Sequence, residues 1–586
     1  MTTNMKPPDI RRPKITRRGL LGAAAASSAA ACTPKVSDTL TVTPAPINAA
    51  FMHGVASGDP RANSVILWTR ITPEAASAGD MKVTWEISDT QDFSAPINFG
   101  KYVTQAARDW TVKVEASELK SGQAYYYRFI FNGQASPTGQ TKTLPEGEVN
   151  SARFAVVSCA NWQHGFFNTY DHIARQDHFD AVLHLGDYYY EYGNDTSTDE
   201  RAAAQGRLHD PAHEIITLED YRKRHAQYRT DPSLQAMSAK LPMITIWDDH
   251  ETSNDSWRGG AENHNDGEGD WESRKRAALR AYYEWMPISE PKAGRARDAI
   301  FRHYNYGNLL SLITLETRLL ARDEPLIIEE YFDMIREDKG TKSFNEILFD
   351  ETRDMLGEAQ TQFILDTLKA SKASGQKWRL LANQVIIGRV TSPDLTPHVT
   401  PDAIEGMAKA WPPVRDFVEF SQYGLPTYTD SWDGYPAARD KFYDRLSANG
   451  INDIVVVTGD SHEFWVNDLT DKNGGAMGVE LGTTSVCSKT LADYMGSTTA
   501  DYALLMTQHN RDVRYYNPLA SGYLDLELGQ STGTARLISV STRLSKNYKA
   551  EMSAQFTLRP TSKGSVKFTS PKGLNLKQRA LFSGLG

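Results

Sequence analysis

Cysteine is almost missing from this chain: Cys32, Cys159 and Cys487 are the three in 586 residues. A disulfide framework is excluded, and without a paired C-x-x-C so is a thiolate zinc site. Any bound metal must use mixed ligands. Basic excess is missing as well. Lys plus Arg is 64 against 73 acids, a formal charge of -9, so no global field gathers nucleic acid. The alanine-rich run Gly19 to Ala31 has 13 residues, short of the ~20 that a membrane-spanning helix needs. Neither H-E-x-x-H nor a Walker A sequence occurs, which removes those metalloprotease and P-loop readings. What the chain has in quantity is core material. It is 40% hydrophobic with 12 Trp, 26 Tyr and 21 Phe, and its length exceeds what one hydrophobic core fills, so two or more folded units are expected.

The first thirty residues read as an address. Lys6, Arg11, Arg12, Lys14, Arg17 and Arg18 face one acid, Asp9, ahead of the weakly apolar run, the plan of an export signal over residues 1–31. Thr16-Arg17-Arg18-Gly19-Leu20-Leu21 resembles a twin-arginine signal, which implies dependence on the twin-arginine export machinery and a periplasmic or secreted product. Removing six positive charges and one negative takes -9 to -14. Ala29-Ala30-Ala31-Cys32 offers a small-residue cleavage site and a poor lipoprotein box, so lipid anchoring through Cys32 is the weaker alternative.

Two bodies follow. Over residues 50–146 the pattern is short and alternating, as in Ser64 to Arg70, Lys82 to Ile87, Thr111 to Glu115 and Ala124 to Phe131. This predicts an N-terminal β-sandwich of the immunoglobulin or fibronectin III kind, without a titratable cluster of its own. Over 150–560 the period changes. Phe154 to Ser158, Ala181 to Leu185, Pro242 to Trp247, Leu310 to Leu315, Leu380 to Ala382 with Val385 to Ile387, and Ile454 to Thr458 are nearly continuous apolar runs, suited to strands buried on both faces. Helical spacing appears between them at 167–176, 219–227, 274–284 and 360–370. The second body is therefore α/β, with helices covering the sheets. Residues 561–586 read as a tail.

In open α/β sheets ligands bind beyond the carboxyl ends of strands, so the residues just after each run are the informative ones. They are Ser158-Cys159, Gly186-Asp187 with Tyr190, Asp248-Asp249-His250-Glu251, Asn383, and Gly459-Asp460-Ser461-His462. Carboxylates gathered this way repel one another unless a cation compensates. A phenol becomes a ligand only where a strong Lewis acid removes its proton, which points Tyr190 toward ferric iron; Cys159 adds a thiolate that iron accepts. Asp249, Asn383 and Asp460 supply only oxygen, suited to calcium or another hard divalent ion.

Ser158-Cys159-Ala-Asn161, Gly186-Asp187-Tyr-Tyr-Tyr190-Glu-Tyr192, Trp247-Asp248-Asp249-His250-Glu251 and Gly459-Asp460-Ser-His462, preceded by Phe51-Met-His-Gly-Val-Ala-Ser-Gly-Asp-Pro60, resemble the alkaline phosphatase D (PhoD-like) family. That family is similar to the purple acid phosphatases among the metallophosphoesterases. The resemblance implies a metallophosphoesterase-type sandwich of two mixed β-sheets flanked by helices, and hydrolysis of phosphate monoesters or diesters. It also implies ferric iron on Cys159, Asp187, Tyr190 and His462, with Asp187 bridging to calcium on Asp249, Asn383 and Asp460; one or two calcium ions are expected. His250 would touch phosphate oxygen or protonate the leaving group. Arg318, in Leu315-Glu316-Thr317-Arg318, would clamp phosphate or else serve as a surface ion-pair partner.

The implied mechanism is metal-assisted attack of hydroxide on small phosphate esters. A phospholipase D-like diesterase on the same site, or an exported non-catalytic binding protein stabilised by metals, are the alternatives. Gly529-Gln530-Ser531-Thr532-Gly533 matches G-x-S-x-G, but it lies between two alternating runs, predicting a hairpin turn rather than a nucleophile elbow. Residues 322–350 and 389–440 are the expected lids. His264 to Asp270 reads as a solvated acidic loop.

Overall fold

The computed structural model describes residues 49–74, 79–194, 200–408, 413–495, 499–561 and 564–569. The expected leader, Cys32 and residues 570–586 of the tail lie outside them, as do Trp411 and Pro412 of the second expected lid.

Two large sheets lie face to face. In the first, of ten strands, Ser151–Val157, Ala181–His184 and Met243–Thr245 run parallel at the centre, and Gly522–Gly529 joins antiparallel to Ser151–Val157. The second has seven strands, with Leu310–Thr314, Trp378–Ala382, Ile454–Thr458 and Ala476–Gly482 parallel in that order. Side-chain alternation sorts the second sheet's two faces. Leu312, Leu380, Val455 and Val457 share one core with Phe154, Val156 and Leu183 of the first sheet. Ile313, Leu381, Ile454 and Val456 instead meet Ile364, Leu368, Phe442 and Leu446 of helices Glu358–Ala373 and Pro436–Ala448. Strands covered on both faces must be apolar throughout, which is why these segments read as continuous runs.

One run is not a strand. Val385 to Ile387 is buried loop, because side chains take its backbone groups: Asn383 Nδ2 donates to the Val385 carbonyl at 2.7 Å, and Glu480 accepts from Ile387 N and Gly388 N at 2.7 and 3.0 Å. Buried peptide groups supplied in this way need no ladder.

The N-terminal strands also depart from the expected self-contained sandwich. Two layers do enclose a core of Val65, Leu67, Val83, Trp85, Tyr127 and Phe129. One layer is a five-stranded sheet of its own built on Met81–Ser88 and Ala124–Phe131. The other, made of Val55–Gly58, Val65–Arg70 and Thr111–Ala116, is the end of the ten-stranded sheet, joined where Gly58 pairs in parallel with Met243. A bare strand edge is a liability, and this docking removes it. Trp68 Nε1 fastens the seam by donating to the Glu284 carbonyl at 2.9 Å.

Candidate metal centre

Both sheets deliver the carboxyl ends of their parallel strands to one rim. Ser158 and Ser485 form a parallel bridge there between loops that follow a strand of each sheet. Gly186, at φ 103°, lies so close to the next loop that a Cβ would stand 2.3 Å from Asp248 N. The Glu251 carboxylate ties those same two loops together, accepting from Asp187 N at 3.0 Å, Tyr188 N at 2.6 Å and Asp248 N at 2.8 Å.

The backbone then does something unusual at four of the expected ligands. Cys159, Asp187, Asp460 and His462 have φ of 64°, 53°, 60° and 63°. Non-glycine residues in the left-handed region cost about 1–3 kcal/mol each, and they concentrate where structure serves function. Their side chains converge. Ligand atoms of Cys159, Asp187 and His462 lie within 4.8 Å of one another, as do those of Asp187, Asp249 and His250, and those of Asp187, Asp248, Asp249 and Asp460. Asp187 belongs to all three groups. The Tyr190 hydroxyl is 3.0 Å from Asp187 Oδ2 and 3.0 Å from His462 Nε2. Asn383, next after its strand, is fully buried and holds its amide nitrogen on Val385.

Charge explains what the cluster lacks. Four carboxylates meet one guanidinium, that of Arg318, whose Nε reaches Asp248 at 2.5 Å and whose Nη1 reaches Asp430 at 2.7 Å. Nη2 stands 3.4 Å from Asp460 and 3.7 Å from Asp249. Arg318 is wholly buried, so the surface ion-pair reading is overturned. Burial, reinforced by Asp249 and Asp460 against the pull of Arg318, pushes the Asp248 carboxyl well above its usual range. Burial and then Asp187 push the Cys159 thiol up as well. Asp248 Oδ2 and Asn383 Oδ1 are buried with no hydrogen-bond donor. One thiol, one phenol, imidazoles, an amide oxygen and surplus carboxylates fit multivalent cations.

Three contributors escaped the sequence reading of the site. Glu191 grips His250 Nδ1 at 2.5 Å and is itself held by Asn254 N at 2.8 Å and Asn263 Nδ2 at 2.9 Å. Burial raises the Glu191 carboxyl, but His250 and these donors outweigh it and leave it below its usual range. With Nδ1 committed, what His250 offers the cluster is the chemistry of Nε2. Ser488 Oγ stands 2.7 Å from the Tyr190 hydroxyl. Asp430 comes from the second expected lid and binds both Arg318 and Arg322. The G-x-S-x-G segment is a hairpin turn, with Gly522–Gly529 and Gly533–Val540 paired antiparallel.

Known proteins place this arrangement. Residues 154–537 match the model of the PhoD-like phosphatase family, and 35–145 that of its N-terminal domain. Alkaline phosphatase D of Bacillus subtilis is 34% identical over 451 residues, 75% of this chain and 69% of that protein. A solved structure of PhoD superposes with a TM-score of 0.71 at 29% identity, covering 91% of this chain and 94% of the other. Those relatives are phosphatases, which sets aside the non-catalytic binding protein. The chain belongs to the PhoD-like phosphatase family and is a phosphoric ester hydrolase.

Proposed function

We propose that this hydrolase works at the strand-end cluster with ferric iron and calcium. Cys159, Asp187, Tyr190 and His462 are the iron set, and Asp249, Asn383 and Asp460 the calcium set. The observation that carries this reading is the membership of Asp187 in all three ligand groups, as a carboxylate shared between two ions requires. Such ions, when bound, supply Lewis acidity that brings the pKa of water toward neutrality and draws charge off the phosphoryl oxygens. The side chains do the rest. His250, aligned by Glu191, presents Nε2 to the ester, donating a hydrogen bond to phosphoryl oxygen or a proton to the departing alkoxide. Arg318 orients Asp248 and Asp430, and its Nη2 is the donor that a phosphoryl oxygen would share with Asp460 and Asp249.

Protein loaded with iron and calcium should release nitrophenol from p-nitrophenyl phosphate or from bis-p-nitrophenyl phosphate, and the ratio of the two rates assigns monoester or diester preference. Chelation, or Asp187→Asn, should cost at least about 100-fold. Undiminished turnover in Asp187→Asn would sink the shared-carboxylate reading. Among the described residues no helix is long and apolar enough to cross a membrane. We read the chain as exported by the twin-arginine route to the periplasm or beyond. Replacing Arg17 and Arg18 together by lysine should trap an unprocessed precursor inside the cell; normal processing would refute the route.

A further inference from the structure

Behind the Asp187 loop, where the N-terminal strands meet the helices, lies a cation without a counter-charge among the described residues. Arg229, at the end of helix Leu218–Tyr228, is wholly buried. Its Nε, Nη1 and Nη2 have no hydrogen-bond acceptor, and no carboxylate oxygen of the described residues comes within 4.0 Å. Leaving a buried guanidinium uncompensated costs several kcal/mol; the aromatic faces beside it offset part of that cost and supply no lone-pair acceptor for its N–H groups.

Its surroundings form a closed ring. The guanidinium carbon stands 4.5 Å from the Trp68 ring and 5.9 Å from that of Tyr188. Trp68 meets Trp285 at 5.7 Å, Trp285 stacks on His225 at 5.9 Å, and His225 returns to Tyr188 at 6.2 Å. Trp68 Nε1 is spent on the Glu284 carbonyl, but the other polar atoms of this ring are as bare as Arg229: Trp285 Nε1, the Tyr188 hydroxyl and both nitrogens of His225 are buried without partners. Burial and then Arg229 hold His225 well below its usual pKa, so it is neutral and adds no positive charge. The remaining inventory is lopsided. Arginine and tryptophan only donate, tyrosine and neutral histidine donate as readily as they accept, and no acidic side chain joins them. Water would satisfy the donors and leave the charge. An acceptor-only, negatively charged occupant satisfies both. With neighbours 4.5–6.2 Å apart around it, such an occupant is better matched by a monatomic ion than by a tetrahedral phosphate.

We propose that the ring of Arg229, Trp68, Trp285, His225 and Tyr188 encloses a halide, chloride in a physiological medium. The ion joins the N-terminal layer, through Trp68, to the loop that carries Asp187, through Tyr188. It does not depend on which metals bind at the cluster.

Two measurements on the full-length, metal-loaded protein test it. At fixed ionic strength, exchanging gluconate for chloride should raise the thermal midpoint by about 1 °C for each tenfold rise above the dissociation constant, and Arg229→Met should abolish that dependence. Crystals grown in bromide should show an anomalous peak beside the Arg229 guanidinium. Absence of the peak, or density there that refines as water alone, would overturn the proposal. If Arg229→Met does not fold, the bromide crystal of the unaltered protein still decides.

Discussion

Ser488 and Glu191 act on the cluster through other side chains, and each leaves its own trace. If Tyr190 is a tyrosinate on ferric iron, the protein is coloured and Tyr190→Phe bleaches it while iron stays bound. Ser488, 2.7 Å from that oxygen, donates to the phenolate and withdraws charge from it. Ser488→Ala should therefore move the absorption band to longer wavelength at unchanged iron content; an unmoved band would deny the contact. Glu191→Gln should lower kcat about 10–100-fold, yet add nothing in a His250→Ala background if it works only by aligning that imidazole. Neither residue was legible beforehand, and the reason is physical. Glu191 lies inside a motif, but its partner is 59 positions away, and no spacing rule joins them. Asp430 pairs with Arg318 across 112 positions. Asn383 directly follows its buried strand, and Asp187, Asp249, Asp460 and His462 stand two to four positions past the ends of theirs, which is what made them legible as strand-end residues.

At the scale of elements, the close approach of two strand-end loops makes the cluster sensitive to one methyl group. Gly186→Ala would place Cβ 2.3 Å from backbone that Glu251 already ties down, in a conformation disfavoured for any side chain. A loss of about 2–4 kcal/mol with a lower metal content is expected, measured by denaturant unfolding and element analysis; near-normal stability would show that the loops can separate. The central strands were readable because two-sided burial demands unbroken apolar runs. The same logic misled at Val385 to Ile387, since a loop whose peptide groups are served by Asn383 and Glu480 can be as apolar as a strand. Pairing order was not readable either, because alternation fixes which face a strand buries and leaves its neighbour open.

For the whole molecule, the shared sheet means that the N-terminal region is no detachable accessory. A fragment starting at Glu146 would expose the edge of Met243–Thr245 and leave Glu284 and Trp285 without Trp68. It should be insoluble or metal-free on expression; a soluble, coloured fragment would show that the two parts fold independently. The strand order also sets a timetable for synthesis. Gly58 waits for Met243, and Ala155 for Asp525, so a nascent chain leaving the ribosome cannot close its main sheet until Asp525 has emerged. The chain's early strands therefore need shelter from aggregation until their distant neighbours arrive.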